Sequence, residues 1–533
     1  MKANRREFLK HLGLGVAGLG IASTLPGSAW AVARTGSKLV RSTPEAEGIA
    51  SADILALVES LEKNNAGLHS LMIVRHGKVV AEGWWAPYAP ELKHTLYSLS
   101  KSFTSTAIGL AVNEKLLNVD DRVISFFPND TPENVGPNLA AMRVKDLLTM
   151  STGHDKDTSG TMRSSDNWIR NFLALPVEHQ PGTYFVYNSG ATFMLSAILQ
   201  KITGQTVLQY LTPRLFGPLD ITGATWDSNP QEINTGGWGL SLKTEDIAKF
   251  GQLYLQKGMW NGKRLVPEAW VNNATSFQVQ STTPGSGTTK LNPESDWHQG
   301  YGYQFWRCRH NSYRGDGAYG QYCVVMPEQD AVVAITSETA NMQATLNQIW
   351  SILLPAMKSG ALSTNPTAQT KLKQKMASLE MPLSTQPAPS PLQATVSGKL
   401  FRLEPNDLKV QTVSLTFDKN TCLFKVQDES GTHAITAGIG RWTDGRTTMP
   451  GTPPNLVPSP KKPGTSSRVA ASGAWTDENT FVMTWQFTET PHSDTVTCRF
   501  TQDGLQVEFL NSITAMSKGQ KDKRPVLQGR RAV

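Results

Sequence analysis

The chain of 533 residues has only four cysteines, Cys308, Cys323, Cys422 and Cys498. So few thiols exclude a scaffold held by dense disulfides, and none stands at the Cys/His spacing of a metal centre. Two pairings, Cys308 with Cys323 and Cys422 with Cys498, and four buried free thiols are both consistent with the count. Long apolar runs are missing too. The longest is about fifteen residues, ends at Pro26 and falls short of the roughly twenty that span a bilayer, so no stable membrane anchor is expected. No run of Lys and Arg interleaved with aromatics occurs, which removes nucleic acid from the expected partners. No internal repeat is visible, and no cofactor or metal is expected.

What the chain does have begins at its N-terminus. Asn4-Arg5-Arg6-Glu7-Phe8-Leu9-Lys10 resembles the twin-arginine export signal, followed by a small, Gly-rich apolar run and the cleavage pattern Ala29-Trp30-Ala31. Residues 1–31 read as a signal peptide cleaved after Ala31, which predicts a periplasmic protein. Its removal takes away four positive side chains and one negative, so the formal charge falls from +7 to +4.

Ser98-Leu99-Ser100-Lys101 sets a hydroxyl and an amine three residues apart at the head of a predicted helix. Residues i and i+3 share a helix face, so the Lys101 amine can reach the Ser98 hydroxyl. A serine becomes nucleophilic when a neighbouring base takes its proton. Unpaired backbone N–H groups at a first turn also favour negative charge on oxygen. Phe103, Ala107, Leu110 and Ala111 form the apolar stripe that predicts the helix. A chain of this length shows S-x-x-K about twice by chance. Another instance, Ser459-Pro460-Lys461-Lys462, stands among Pro458, Pro460 and Pro463, which forbid a helix.

Further segments follow in order: His94-Thr95-Leu96-Tyr97 before Ser98, Val144-Lys145-Asp146-Leu147-Leu148-Thr149-Met150-Ser151-Thr152-Gly153-His154, Pro181-Gly182-Thr183-Tyr184-Phe185-Val186-Tyr187-Asn188-Ser189-Gly190, and Gly239-Leu240-Ser241-Leu242-Lys243-Thr244. With these, residues from about 45 to 355 resemble the serine beta-lactamase and penicillin-binding-protein superfamily, closest to its class C-like esterases and peptidases. The resemblance implies that Ser98 is acylated, that Lys101 accepts its proton, and that Tyr187 is the tyrosine of the Tyr-x-Asn element. Tyr187 then needs its pKa lowered by an ammonium such as Lys101 to relay a proton. Two departures are visible. Ser189 stands where the family has asparagine, with Asn188 beside it, and a hydroxyl is shorter and has one donor proton. Gly315-Asp316-Gly317-Ala318 stands where a Lys-Thr-Gly or His-Thr-Gly strand belongs, so the cation is replaced by Gly315 and a carboxylate, Asp316, lies beside it. Arg314 restores the charge if the register slips by one. The N–H groups of Ser98 and Ala318 are the oxyanion hole that the resemblance implies. Trp238, Trp297 and the alternating run Tyr301-Gly302-Tyr303-Gln304-Phe305-Trp306 thicken the aromatic content nearby. The run reads as a strand, with one or two rings walling an acyl pocket. His94 reads as structural.

Composition shifts at Ser359-Gly360, and Pro-rich residues 384–391 read as a linker. Beyond it the period changes to two, as in Val413-Ser414-Leu415-Thr416-Phe417 and Phe481-Val482-Met483-Thr484-Trp485. The expected fold is α+β: residues 32–358 form a class C beta-lactamase-like α/β sandwich, an antiparallel sheet flanked by helices with an all-helical subregion. A linker, 359–392, then leads to an all-β lipocalin-like or sandwich domain, 393–533. The expected function is an exported serine hydrolase working through an acyl-Ser98 enzyme on a small ester, amide or peptide, cell-wall fragments included, rather than an efficient beta-lactamase. The alternative is a turnover-deficient protein that binds a peptidoglycan fragment or small ligand.

Overall fold

The computed structural model describes residues 38–64, 67–282, 291–383, 390–457, 465–517 and 519–532. The export segment 1–31 and the proline-bound Ser459-Pro460-Lys461-Lys462 lie outside them.

A seven-stranded sheet frames the first part. From edge to edge its strands are Val40–Arg41, Lys78–Trp84, Leu68–Arg75, Ala331–Ser337, Gln321–Met326, Tyr313–Gly317 and Trp306–Arg307. All neighbours are antiparallel except the first pair, which is parallel. Successive side chains leave a strand on opposite faces, and here both faces are covered. Val332 and Ala334 enter the core on one side while Val333 and Ile335 enter the core on the other; Met72 and Val74 oppose Leu71 and Ile73 in the same way. The first side packs on helices Ser100–Asn113 and Thr244–Leu255 and on the helical subregion of Val144–Leu148, Trp168–Leu173, Ser189–Thr203 and Val207–Leu211. The second side packs on Ser51–Asn64 and the helical run 342–356.

The stripe Phe103, Ala107, Leu110 and Ala111 is buried as its spacing predicts, but the helix is buried on every side from Ser100 to Ala111. Most of its hydroxyls find partners inside, Ser105 Oγ excepted. Ser102 Oγ donates to the Gln304 carbonyl at 2.8 Å and Thr104 Oγ1 to the Gly236 carbonyl at 2.9 Å. The helix starts at Ser100, and Ser98 sits in the 3-10 turn Tyr97–Leu99 that leads into it.

Residues 359–392 are not a free linker throughout. The helix Pro366–Ala377 lays Leu372 and Met376 on the second core, and Leu379 just beyond its end joins them. The Pro-rich residues 384–389 lie outside the described set.

The C-terminal part is a closed β-barrel. Neighbouring strands are antiparallel from Leu400–Leu403 through Leu527–Arg531, and the ring closes where Gly431–Ile439 pairs in parallel with Ser467–Trp475. Alternation points Val413, Leu415, Phe424, Phe481, Met483, Trp485 and Val496 inward, so side chains fill the interior. The turn at 487–492 meets the first part. Thr95 N–H donates to the Glu489 carbonyl at 3.0 Å, and the Tyr88 hydroxyl donates to the Thr490 carbonyl at 2.8 Å. All four cysteines are buried free thiols, which decides between the two arrangements that the count allowed.

At Gly109 a Cβ would lie 2.4 Å from ring carbons of Trp270. Gly→Ala in an exposed helix interior stabilises by about 1 kcal/mol. Here Gly109→Ala is expected to lower the melting temperature, read by circular dichroism.

Candidate active site

The 3-10 turn delivers Ser98 half-buried, and the first helical turn brings Lys101 beneath it. Lys101 Nζ lies 3.0 Å from Ser98 Oγ, 3.1 Å from Ser189 Oγ and 2.8 Å from the Gly237 carbonyl. The side chain is 1% exposed. Burial lowers its pKa to about 7, against Asp157 and Asp316, which pull it up. The loss of hydration outweighs two carboxylates because neither is paired with the amine.

Tyr187 stands over the same serine. Its hydroxyl is hydrogen-bonded to Ser98, and its ring lies 4.9 Å from Lys101 Nζ. The expectation that an ammonium lowers its pKa is corrected. Burial first, then the Asp316 charge, hold the phenol well above its ordinary value, and the Ser98 hydrogen bond only partly offsets them. Tyr187 keeps its proton and Lys101 is the group that titrates near neutrality. Trp306 stacks on Tyr187 at 5.2 Å and Tyr301 meets it edge-on at 6.2 Å. These rings back the tyrosine instead of walling an open pocket. The expected strand over 301–306 is confined to Trp306–Arg307. Gln304 is left-handed at φ +63°, so that its amide reaches the Leu147 and Leu148 carbonyls at 3.0 and 2.9 Å.

Ser189 puts its hydroxyl on Lys101 Nζ at 3.1 Å. Its N–H donates to Asp157 Oδ1 at 2.9 Å. Asn188 does not face the site. Fully buried, it caps the helix Ser189–Thr203, its Oδ1 accepting from Gly190 N and Ala191 N at 3.0 and 3.4 Å and from Thr158 Oγ1 at 2.8 Å. Trp238 is also withdrawn: its ring packs in the core 6.1 Å from Trp168, and only its neighbour's carbonyl, from Gly237, touches the amine.

The strand Tyr313–Gly317 runs against the turn that carries Ser98. A Cβ on Gly315 would lie 2.5 Å from both Leu99 Cδ1 and Ser102 Oγ, and one on Gly317 would lie 2.0 Å from the Leu96 carbonyl oxygen. Both glycines are there for close approach. Ala318 follows at the strand's end, half-exposed, its carbonyl accepting from Gln321 Nε2 at 3.0 Å. The lone carboxylate expected at Asp316 is corrected as well. Arg314 Nε donates to Asp316 Oδ2 at 2.8 Å, and the guanidinium is fully buried 4.3 Å over Trp297, with Nη1 donating to the Asp296 carbonyl at 2.8 Å. Arg314 therefore neutralises its neighbour and does not replace the missing cation. Sequence reasoning missed Asp157, whose role depends on a loop fold, and the Gly237 carbonyl, which has no residue signature. Among the described residues no cluster of His, Cys, Asp and Glu is arranged to hold a metal.

Residues 56–353 match the Beta-lactamase family. A 6-aminohexanoate-dimer hydrolase of Paenarthrobacter ureafaciens is 26% identical over 343 residues, 58% of this chain and 84% of that protein. Among solved structures, a penicillin-binding protein homologue from Caulobacter crescentus aligns with a TM-score of 0.47 at 14% identity, covering 58% of this chain and 99% of that one. A family VIII carboxylesterase aligns with a TM-score of 0.45 at 12% identity, covering 63% and 98%. The sheet with its helical subregion, the motif order and the match across more than half of the residues agree: the chain belongs to the beta-lactamase family and is a serine hydrolase.

Proposed function

We propose that the chain is an exported hydrolase in which Ser98 attacks the carbonyl of an ester or neutral amide and carries the acyl group until water releases it. The observation that carries this reading is the Lys101 amine. Neutral, it has two N–H donors and one lone pair. The Gly237 carbonyl takes one donor and Ser189 Oγ the other, which leaves the lone pair for the Ser98 O–H. As Ser98 attacks, its proton passes to Nζ, and the Ser98 and Ala318 N–H groups receive the oxyanion. Tyr187, still protonated, donates to the departing oxygen or nitrogen and is reprotonated from Lys101. Deacylation runs the same transfers in reverse, with water in the leaving group's place.

The surroundings favour substrates without a terminal carboxylate. Gly315 has no side chain to grip one, and the charge of Arg314 is taken up by Asp316. Penicillins and C-terminal peptides therefore rank below short esters and uncharged amides, in keeping with the amide and ester hydrolases among the relatives. Export rests on the Arg5-Arg6 motif, and four buried free thiols suit a protein that folds in a reducing compartment before crossing.

Ser98→Ala is expected to abolish hydrolysis of a p-nitrophenyl ester, and Lys101→Ala to lower kcat/KM on the order of a thousandfold or more. Because the deprotonated amine is the active form, kcat/KM should rise about tenfold per pH unit below the Lys101 pKa and level off above about 7. A flat profile through pH 5–8 would remove Lys101 as the base. Exchanging Arg5 and Arg6 for lysines should leave the protein unexported, read by cell fractionation. Asp316→Ala strands the Arg314 guanidinium inside the fold and should cost about 3–5 kcal/mol of stability, measured by urea unfolding.

A further inference from the structure

We propose that the barrel supplies a positioning residue, His492, which holds both halves of the oxyanion hole in place. This rests on the reading of Ser98 as nucleophile and of the Ser98 and Ala318 N–H groups as the oxyanion donors.

The residue before Ser98 and the residue after Ala318 are both left-handed. Tyr97 has φ +47° and Tyr319 φ +65°. For a bulky residue this backbone is unfavourable and persists only where the surroundings impose it. The two rings converge on one imidazole. His492 lies 5.7 Å from the Tyr97 ring and 5.0 Å from that of Tyr319, and the two tyrosines meet each other edge-on at 6.0 Å.

A hydrogen-bond chain fixes that imidazole. Glu338, at the end of the sheet strand Ala331–Ser337, pairs through Oε1 with His492 Nδ1 and accepts from Ser512 Oγ at 2.6 Å. A carboxylate only accepts, so Nδ1 is the donor, and Nε2 is hydrogen-bonded to the Tyr97 hydroxyl. The Leu456 N–H, also from the barrel, donates to the Tyr97 oxygen at 3.4 Å. His492 is wholly buried with both nitrogens engaged, so it is not a base for substrate. It transmits the position of a sheet strand, through a carboxylate, an imidazole and a phenol, to the turn that carries Ser98. The backbone bond from Thr95 to Glu489 ties the same turn to the same barrel loop.

The consequence is kinetic. Loss of the tether lets the two N–H groups drift from the developing oxyanion, and displacements well under a bond length already cost large factors in rate. The test uses the full chain with Tyr97→Phe, His492→Ala, the double variant and Ser98→Ala. The readouts are kcat and KM for a p-nitrophenyl ester, the rate of fluorophosphonate labelling of Ser98, and the melting temperature. Expected are folded proteins in which each single variant lowers kcat and labelling rate by about tenfold or more with KM within twofold, and a double variant no slower than the slower single one. Wild-type kcat and labelling in Tyr97→Phe and His492→Ala, or losses that multiply in the double variant, would overturn the inference. So would a loss that appears only in melting temperature. If Ser98→Ala keeps its activity, or wild type takes no fluorophosphonate label, the reading of Ser98 itself fails and this inference fails with it; full loss in Ser98→Ala beside intact Tyr97→Phe removes the tether alone.

Discussion

An amine withdrawn from water sets the conditions for everything around it. At Lys101, hydration is exchanged for three hydrogen-bond partners, and the proton that a surface lysine would hold to high pH becomes exchangeable near neutrality. That exchange works only if the helix bearing the amine is sealed on all sides. The sequence Ser100 to Ala111 is accordingly buried throughout, with the hydroxyls of Ser102 and Thr104 satisfied by carbonyls from other segments and not by solvent. The polar residues that look misplaced in an apolar helix are what allow it to lie at the centre of the molecule.

The same need for closeness explains the glycines of the neighbouring strand. A side chain at Gly315 or Gly317 would push the strand away from the turn that carries Ser98, and the distance between Ser98 and Ala318 would grow with it. Gly315 offers no side chain here, and the charge of the neighbouring Arg314–Asp316 pair lies inside the fold, between Trp297 and Trp306, behind Tyr187.

Local features were legible in the sequence and distant ones were not. The Ser98–Lys101 spacing carries its own geometry, and alternation in the barrel strands gave their inward faces residue by residue. The sheet's buried strands follow from runs such as Ala331-Val332-Val333-Ala334-Ile335. Asn188 was read for its place beside a motif, although an asparagine directly before Ser189-Gly190-Ala191 has an equally good local reading as a helix cap. The helix 366–377 was hidden in a charged stretch because only Leu372 and Met376 mark its buried side. Trp238 has no local signal that separates core from cleft. His492 lies 395 residues from Tyr97, and no pattern near either residue announces the other.

The barrel's connectivity has a consequence for how the protein is made. Leu527–Arg531 pairs with Leu400–Leu403 on one side and with Gly504–Asn511 on the other, so it is the stave that joins the earliest barrel strand to the latest hairpin. Synthesis from the N-terminus can complete the sheet domain while the barrel is still an open ribbon with two unpaired edges. Until those five residues leave the ribosome, strand edges at Leu400–Leu403 and Gly504–Asn511 are available to other chains. A clipped or prematurely terminated copy would be an aggregation hazard before it was an inactive enzyme.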